Sequence, residues 1–243
     1  MLKDDLHHPT QRNKSLSPRD QIKIFLHFLG TASFYHVERD CHGVRKDTSN
    51  RAVHAVLDNL FCQREKIIHW PDLVDTLPSK FYTVAQIPSV CGCIDGCHIP
   101  IIPPSKDKDA FLNRHQFHSL NVLCVCGPDL YIYYVYADGP GRWHDSRYIN
   151  NHDNQSAPKR RFNDAYRKTR NVIERCFGVL KNRFYSLQVP IRFSKVENAA
   201  KLIVCACMIH NMCLKVGDEG EELPVLPATP FPFQARDETE AEI

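Results

Sequence analysis

Charge is almost missing from one long stretch of the chain. Between Phe81 and Ser105 the only formally charged side chain is Asp95, in the run CGCIDGCHIPII, so this region is not built as a solvated surface. Paired C-x-x-C spacing is also missing. Cys41-His42, Cys97-His98 and His210…Cys213 offer soft ligands, yet none has the pattern of a structural zinc module. No charged segment followed by an apolar one opens the chain, and no charge-poor apolar run has the length and pattern of a bilayer-spanning helix, so neither a secretory signal nor a membrane-spanning helix is expected. The eleven cysteines are an odd number and several stand as C-x-C inside apolar runs, where both thiols face one side of a strand and act as small hydrophobes. A reducing compartment, nucleus or cytosol, is expected.

What is present is enough for one α/β domain with an accessory module: 243 residues, 43% hydrophobic and 24% charged. The net charge of +3 conceals an asymmetry. Between Ser156 and Arg192 ten Lys or Arg face only Asp164 and Glu174, a density suited to a polyanion or to a solvated helix face. From Val216 onward eight acids face Arg236 alone, and the Pro-rich run LPVLPATPFPF completes the expected acidic, disordered tail over 216–243.

Residues 1–19 are expected to be flexible. Gln21–Leu29 reads as a short helix stopping at Gly30, Ser33–Asp40 as a second, and the apolar spacing of Val53, Val56, Leu57, Leu60 and Phe61 as a third, with Asp47, Thr48 or Ser49 as its N-cap. Together they are compatible with a helix-turn-helix region over 20–70, or with an ordinary helical cap. Trp70-Pro71 and Leu77-Pro78 mark a linker near 69–80. Strands are expected over 90–102, 120–126 and 130–137, the last two joined as a hairpin through Gly127-Pro128-Asp129. The strongest helix spans 162–187: Ile173, Phe177, Leu180 and Phe184 form its apolar stripe, and Arg167, Arg170, Glu174, Gly178 and Lys181 lie along a neighbouring one. A last apolar helix covers 199–214.

Period two along the first strand puts Asp95 on the face of Cys91, Cys93, Cys97 and Ile99, with His98 on the other. A buried carboxylate must find an ion pair, a metal or a raised pKa, and Asp-Gly is also a turn dipeptide. Asp145, after the third strand, and Glu174, on the long helix, are carboxylates able to converge with Asp95 on a pair of Mg²⁺ or Mn²⁺ ions. One ion would activate water and the other would stabilise the leaving oxygen of a phosphodiester. Arg167, Arg170, Lys181 and Arg183 would hold the phosphate backbone, and His144 would support Asp145.

The runs FYTVAQIPSVCGCIDGCHIPI, GPGRWHDSRYI and RFNDAYRKTRNVIERCFGVLKNRFYSL resemble the signature blocks of the PIF/Harbinger transposase family, a group of DDE superfamily endonucleases that includes animal transposase-derived nucleases. The likeness extends from near Gln21 to the CACMIHNMCLK segment. It implies an RNase H-like α/β fold, a mixed sheet with flanking helices, over 81–215, preceded by the helix-turn-helix region. It also implies a divalent-metal-dependent nuclease acting on DNA, found in the nucleus or cytoplasm beside a Myb-like DNA-binding partner and away from membranes. The family's metal-ligating acids map onto Asp95, Asp145 and Glu174.

Two departures stand out. DGTH is DGCH here, with Cys97 in place of the threonine. A block resembling L-x-GDSGYP and the TPY-like strand after it are missing: the chain passes from Asn150 through NHDNQSAPKR into Arg161-Phe162-Asn163, an internal deletion near 150–161. That block holds one expected metal ligand, which neither Asp153 nor Asp164 is placed to replace. The deletion implies weaker metal binding and exposed strand edges. The alternative to a nuclease is a catalytically dead DNA-binding or adaptor protein.

Overall fold

Three successive apolar runs give three strands, β1 (Cys93–Pro100), β2 (Ser119–Cys126), buried along its whole length, and β3 (Ile132–Pro140). The computed structural model describes residues 6, 15–33, 41–72, 74–143, 158–218 and 220, the side chains of 74, 85 and 158–168 excepted. The strands pair antiparallel in the order β1-β2-β3, Asp95 standing opposite Cys124 and His98 opposite Asn121. Where a mixed sheet was expected, parallel pairing among the described residues is reduced to one isolated bridge, Ile101 to Ile191. In that described sheet β1 is an edge. The hairpin between β2 and β3 forms as expected, but β3 starts two residues late. Leu130 adopts a left-handed φ of 64° and closes the turn on the Gly127 carbonyl.

Nine helices and helical turns stand among the described residues. Ser17 caps α1 (Pro18–Thr31) by accepting from the Asp20 amide, and Pro18 suits the first turn, where no amide partner is needed. This helix runs past Gly30 to a left-handed cap at Ala32. The next helix, α2 (Lys46–Cys62), begins before the expected caps: Arg45 is the N-cap without a side-chain bond, and Asp47 sits in the first turn, where it suits the helix dipole. The helix expected over 33–40 lies largely outside the described residues. A short α3 (Arg64–Ile67) follows, then a 3-10 turn at Val74–Thr76 and α4 (Leu77–Ala85). Leu77-Pro78 therefore starts a helix where a linker was expected, because proline is tolerated in a first turn. After β1 comes α5 (Lys108–Phe111). The two long helices are α6 (Pro158–Arg183) and α7 (Val196–Lys215). Four residues short of its expected end, α6 gives way at Phe184 to a 3-10 turn, Tyr185–Leu187.

Packing explains why these elements hold. The stripe of Ile173, Phe177, Leu180 and Phe184 is buried, and it lays α6 across β1 and β2 while α7 covers β3. Apolar burial at about 25 cal/mol per Å² is the main favourable contribution. One continuous core joins Phe25 and Leu29 of α1, Leu57 of α2, Ile203 of α7 and the inner face of the sheet. The helical region is thus fused to the sheet by packing. Two buried polar residues of α7 fasten the start of β3. The Asn211 side chain bonds both the amide and the carbonyl of Ile132 (2.9 and 2.7 Å), and His210 Nε2 donates to the Leu130 carbonyl (3.0 Å).

Candidate functional site

Asp95 lies within β1, paired with Cys124, so Asp95-Gly96 is strand and not turn. Its side chain is 12% exposed, and the ion-pair solution is the one adopted. Arg170, from α6, donates to Asp95 Oδ2 through Nη2 (3.0 Å) and Nε (3.2 Å). Asp95 Oδ1 takes the amide of Gly96 (3.0 Å). Arg170 also pairs with Glu174, one turn further along α6, at 3.4 Å from the same Nε. One guanidinium therefore holds both carboxylates, and Nε is common to the two contacts.

The sequence pattern accounts for this meeting. Period two directs Asp95 towards the helical layer, and the buried stripe of α6 fixes which flank of that helix faces β1. Residues 170 and 174 are one turn apart on that flank. Arg170 and Glu174 are about half exposed, so the site opens to solvent from the α6 side.

Of the other expected site residues, Asp145 and His144 lie outside the described residues, as does the side chain of Arg167. Lys181 Nζ reaches the His98 carbonyl at 3.4 Å. Arg183 is 11% exposed and turned inward, donating to His210 Nδ1 (2.9 Å), to the Asp218 carbonyl (2.8 Å) and to its carboxylate (3.0 Å). The basic stripe is accordingly engaged inside the protein at Arg170, Lys181 and Arg183.

Hard oxygen donors gathered around one positive centre are the chemistry a Mg²⁺ or Mn²⁺ ion requires, and Asp95 and Glu174 fit that demand as two ligands. Among the described residues no three of His, Cys, Asp or Glu come together as a metal-binding group, so a third protein ligand would have to come from elsewhere. The soft-ligand alternative finds no support at His210, whose two ring nitrogens are taken by Arg183 and Leu130. The cysteines pack as core. Burial pushes the Cys93 thiol up to about 12 and also raises Cys205, while Cys124 is raised by its hydrogen bond with Cys207 and then by burial.

One feature was not found from the sequence: a polar cleft of about 440 Å³ at the far end of β1, rimmed by Arg114, Arg142 and Trp143. Its residues come from separate loops, and the only sequence signal was the RWHD run itself.

Comparison with known proteins adds the following. Residues 94–159 and 150–211 match the family described as DDE superfamily endonuclease, and the two matched stretches overlap at the expected deletion. The chain is 27% identical to a Bos taurus protein named "Putative nuclease HARBI1", covering 93% of this chain and 75% of the relative. The Homo sapiens protein of that name is 26% identical over 89% of this chain and 73% of its own length. The Arabidopsis thaliana "Protein ALP1-like" is 27% identical over 56% of the chain. With the cattle relative the alignment is 264 positions long, so a few dozen of them stand opposite gaps in this chain. No solved structure matches.

Proposed function

From a chain that is a relative of the DDE superfamily endonucleases over residues 94–211, we propose a transposase-derived nuclease that cuts phosphodiester bonds of DNA with a divalent cation. The observation that carries this reading is the meeting of Asp95 and Glu174 at one cationic centre, on the strand and the helix where the family resemblance puts them. Asp95, Glu174 and Asp145 would hold Mg²⁺ or Mn²⁺, which supplies Lewis-acid activation of water and stabilisation of the leaving oxygen. Arg170 keeps the two acids together and offsets one of their two negative charges. Once a cation takes the carboxylates, its guanidinium is placed to bind a phosphate oxygen. The same reading assigns the protein to the nucleus, beside a Myb-like DNA-binding partner.

A second reading, a DNA-binding adaptor without hydrolysis, is favoured by the alignment gap, because the absent block includes an expected metal ligand. Nicking of supercoiled plasmid in Mn²⁺ separates the two. A nuclease nicks as wild type and fails as Glu174→Gln. An adaptor retards DNA in a salt-sensitive manner and nicks in neither form.

A further inference from the structure

The cleft at the far end of β1 is built with more care than a surface dimple needs. Buried Asn113 organises one wall: its Oδ1 accepts from the amides of His115 (2.8 Å) and Phe117 (3.3 Å), and its Nδ2 donates to Ser119 Oγ (2.9 Å). Ser119 Oγ in turn meets His98 Nδ1 at 3.0 Å. The opposite wall is the segment after β3. Gly141 packs so tightly that a Cβ there would lie 2.4 Å from the Phe111 carbonyl oxygen and 2.6 Å from that of Ser119. The Arg142 amide donates to Ala110 O (3.0 Å), and Asn121 Nδ2 donates to Trp143 O (2.9 Å). Both rims are therefore held by buried side chains and main-chain bonds, and the cleft is preformed.

Its chemistry is basic and aromatic. Arg142 is exposed, and among the described residues no hydrogen bond or ion pair engages its guanidinium. Arg114 donates from Nε to His115 Nε2, and Asp109 is the single acid on the lining. A volume of about 440 Å³ suits one nucleotide, guanidinium groups suit phosphate, and an indole offers a stacking face for any base. The cleft lies beyond the carboxylate site along β1. His98 follows Asp95 by three residues, about 10 Å along the strand, with its side chain on the opposite face, and Lys181 of the Glu174 stripe touches the His98 carbonyl.

We propose that this cleft is a nucleotide subsite that seats one unit of single-stranded DNA, its phosphate on Arg142 and Arg114 and its base against Trp143. The inference deepens the nuclease reading and rests on it for the identity of the ligand. It also supplies phosphate contacts that Lys181 and Arg183, engaged within the protein, leave unfilled.

The test titrates the full chain with a twelve-residue oligo-dT in EDTA, reading anisotropy and tryptophan fluorescence. The chain has two tryptophans, and Trp70 is the internal reference. Expected results are a quench that Trp143→Phe abolishes, a loss of about tenfold in affinity for Trp143→Ala, and a salt slope reduced by about 0.7 for each of Arg114→Ala and Arg142→Ala. Arg142→Lys should keep the slope. Unchanged far-ultraviolet circular dichroism and melting temperature in Arg142→Ala confirm that a loss is not unfolding. Wild-type affinity and slope in the Arg114→Ala/Arg142→Ala double variant, or equal competition by duplex of the same length, overturns the subsite. The nuclease reading fails separately: cleft-dependent binding with no Mn²⁺ nicking overturns it alone, and nicking with cleft-independent binding overturns the subsite alone.

Discussion

At the scale of single residues the consequential contact is Arg170 with Asp95 and Glu174. Removing Arg170 leaves Asp95 nearly buried with only the Gly96 amide as partner, while Glu174 remains solvated. Because Arg170 is half exposed and screened, Arg170→Ala should cost about 1–2 kcal/mol, well below a fully buried pair. Adding Asp95→Asn should recover part of the loss, which urea denaturation of the two single variants and the double variant would measure. Millimolar Mn²⁺ should raise the melting temperature of Arg170→Ala more than that of wild type, since a cation then fills the place of the guanidinium. An equal rise in both would show that Arg170 does not occupy the ion's position. Arg183 makes the contrasting case. Arg183→Ala strips the fully buried His210 of a donor and should cost about 1–3 kcal/mol without altering the salt slope of DNA binding.

At the scale of elements, what could be read from the sequence followed periodicity. The buried stripe of α6 and the period-two placement of Asp95 in β1 were legible because each pattern repeats through several residues, whereas β2 showed only as a continuous apolar run. Boundaries were less legible. The start of α2, the helical α4 after Leu77-Pro78 and the late start of β3 depend on caps and tertiary bonds, such as Asn211 on Ile132, that no local pattern encodes. Arg170 was read as a phosphate contact because its charge was visible and its partner across the sheet was not. The cleft was illegible for a related reason: Arg114, Arg142 and His98 are scattered in sequence and gathered only by the junction of β3 with α5. That junction turns on Gly141. A methyl group there meets two main-chain carbonyls, so backbone must move, and Gly141→Ala should cost about 1–3 kcal/mol. Far-ultraviolet circular dichroism should stay native while the environment of Trp143 changes, visible as a shift in tryptophan emission.

At the scale of the whole molecule, the continuous core predicts one cooperative transition, with the helical region and the sheet unfolding together. All eleven cysteines are free thiols, and the buried ones include Cys93, Cys124, Cys126, Cys176, Cys205 and Cys207. This gives stability a definite alkaline dependence. Burial holds Cys93 protonated to about 12, and Cys124 and Cys205 are raised as well, whereas Cys126 is pushed up and Cys176 pulled down by the hydrogen bond they share, so that pair partly offsets itself. A thiol whose pKa is higher folded than unfolded contributes stability that is complete below the unfolded value, near 9, and declines as pH climbs towards the folded one. The melting temperature should therefore fall between pH 9 and the onset of global alkaline unfolding, and Cys93→Ala should flatten that slope. At pH 8 a thiol reagent should label exposed Cys41 and Cys62 quickly and the core thiols only on unfolding. Rapid labelling of Cys93 in the folded protein would mean that β1 and α6 separate readily, and with them the contact between Asp95 and Arg170 on which the proposed site depends.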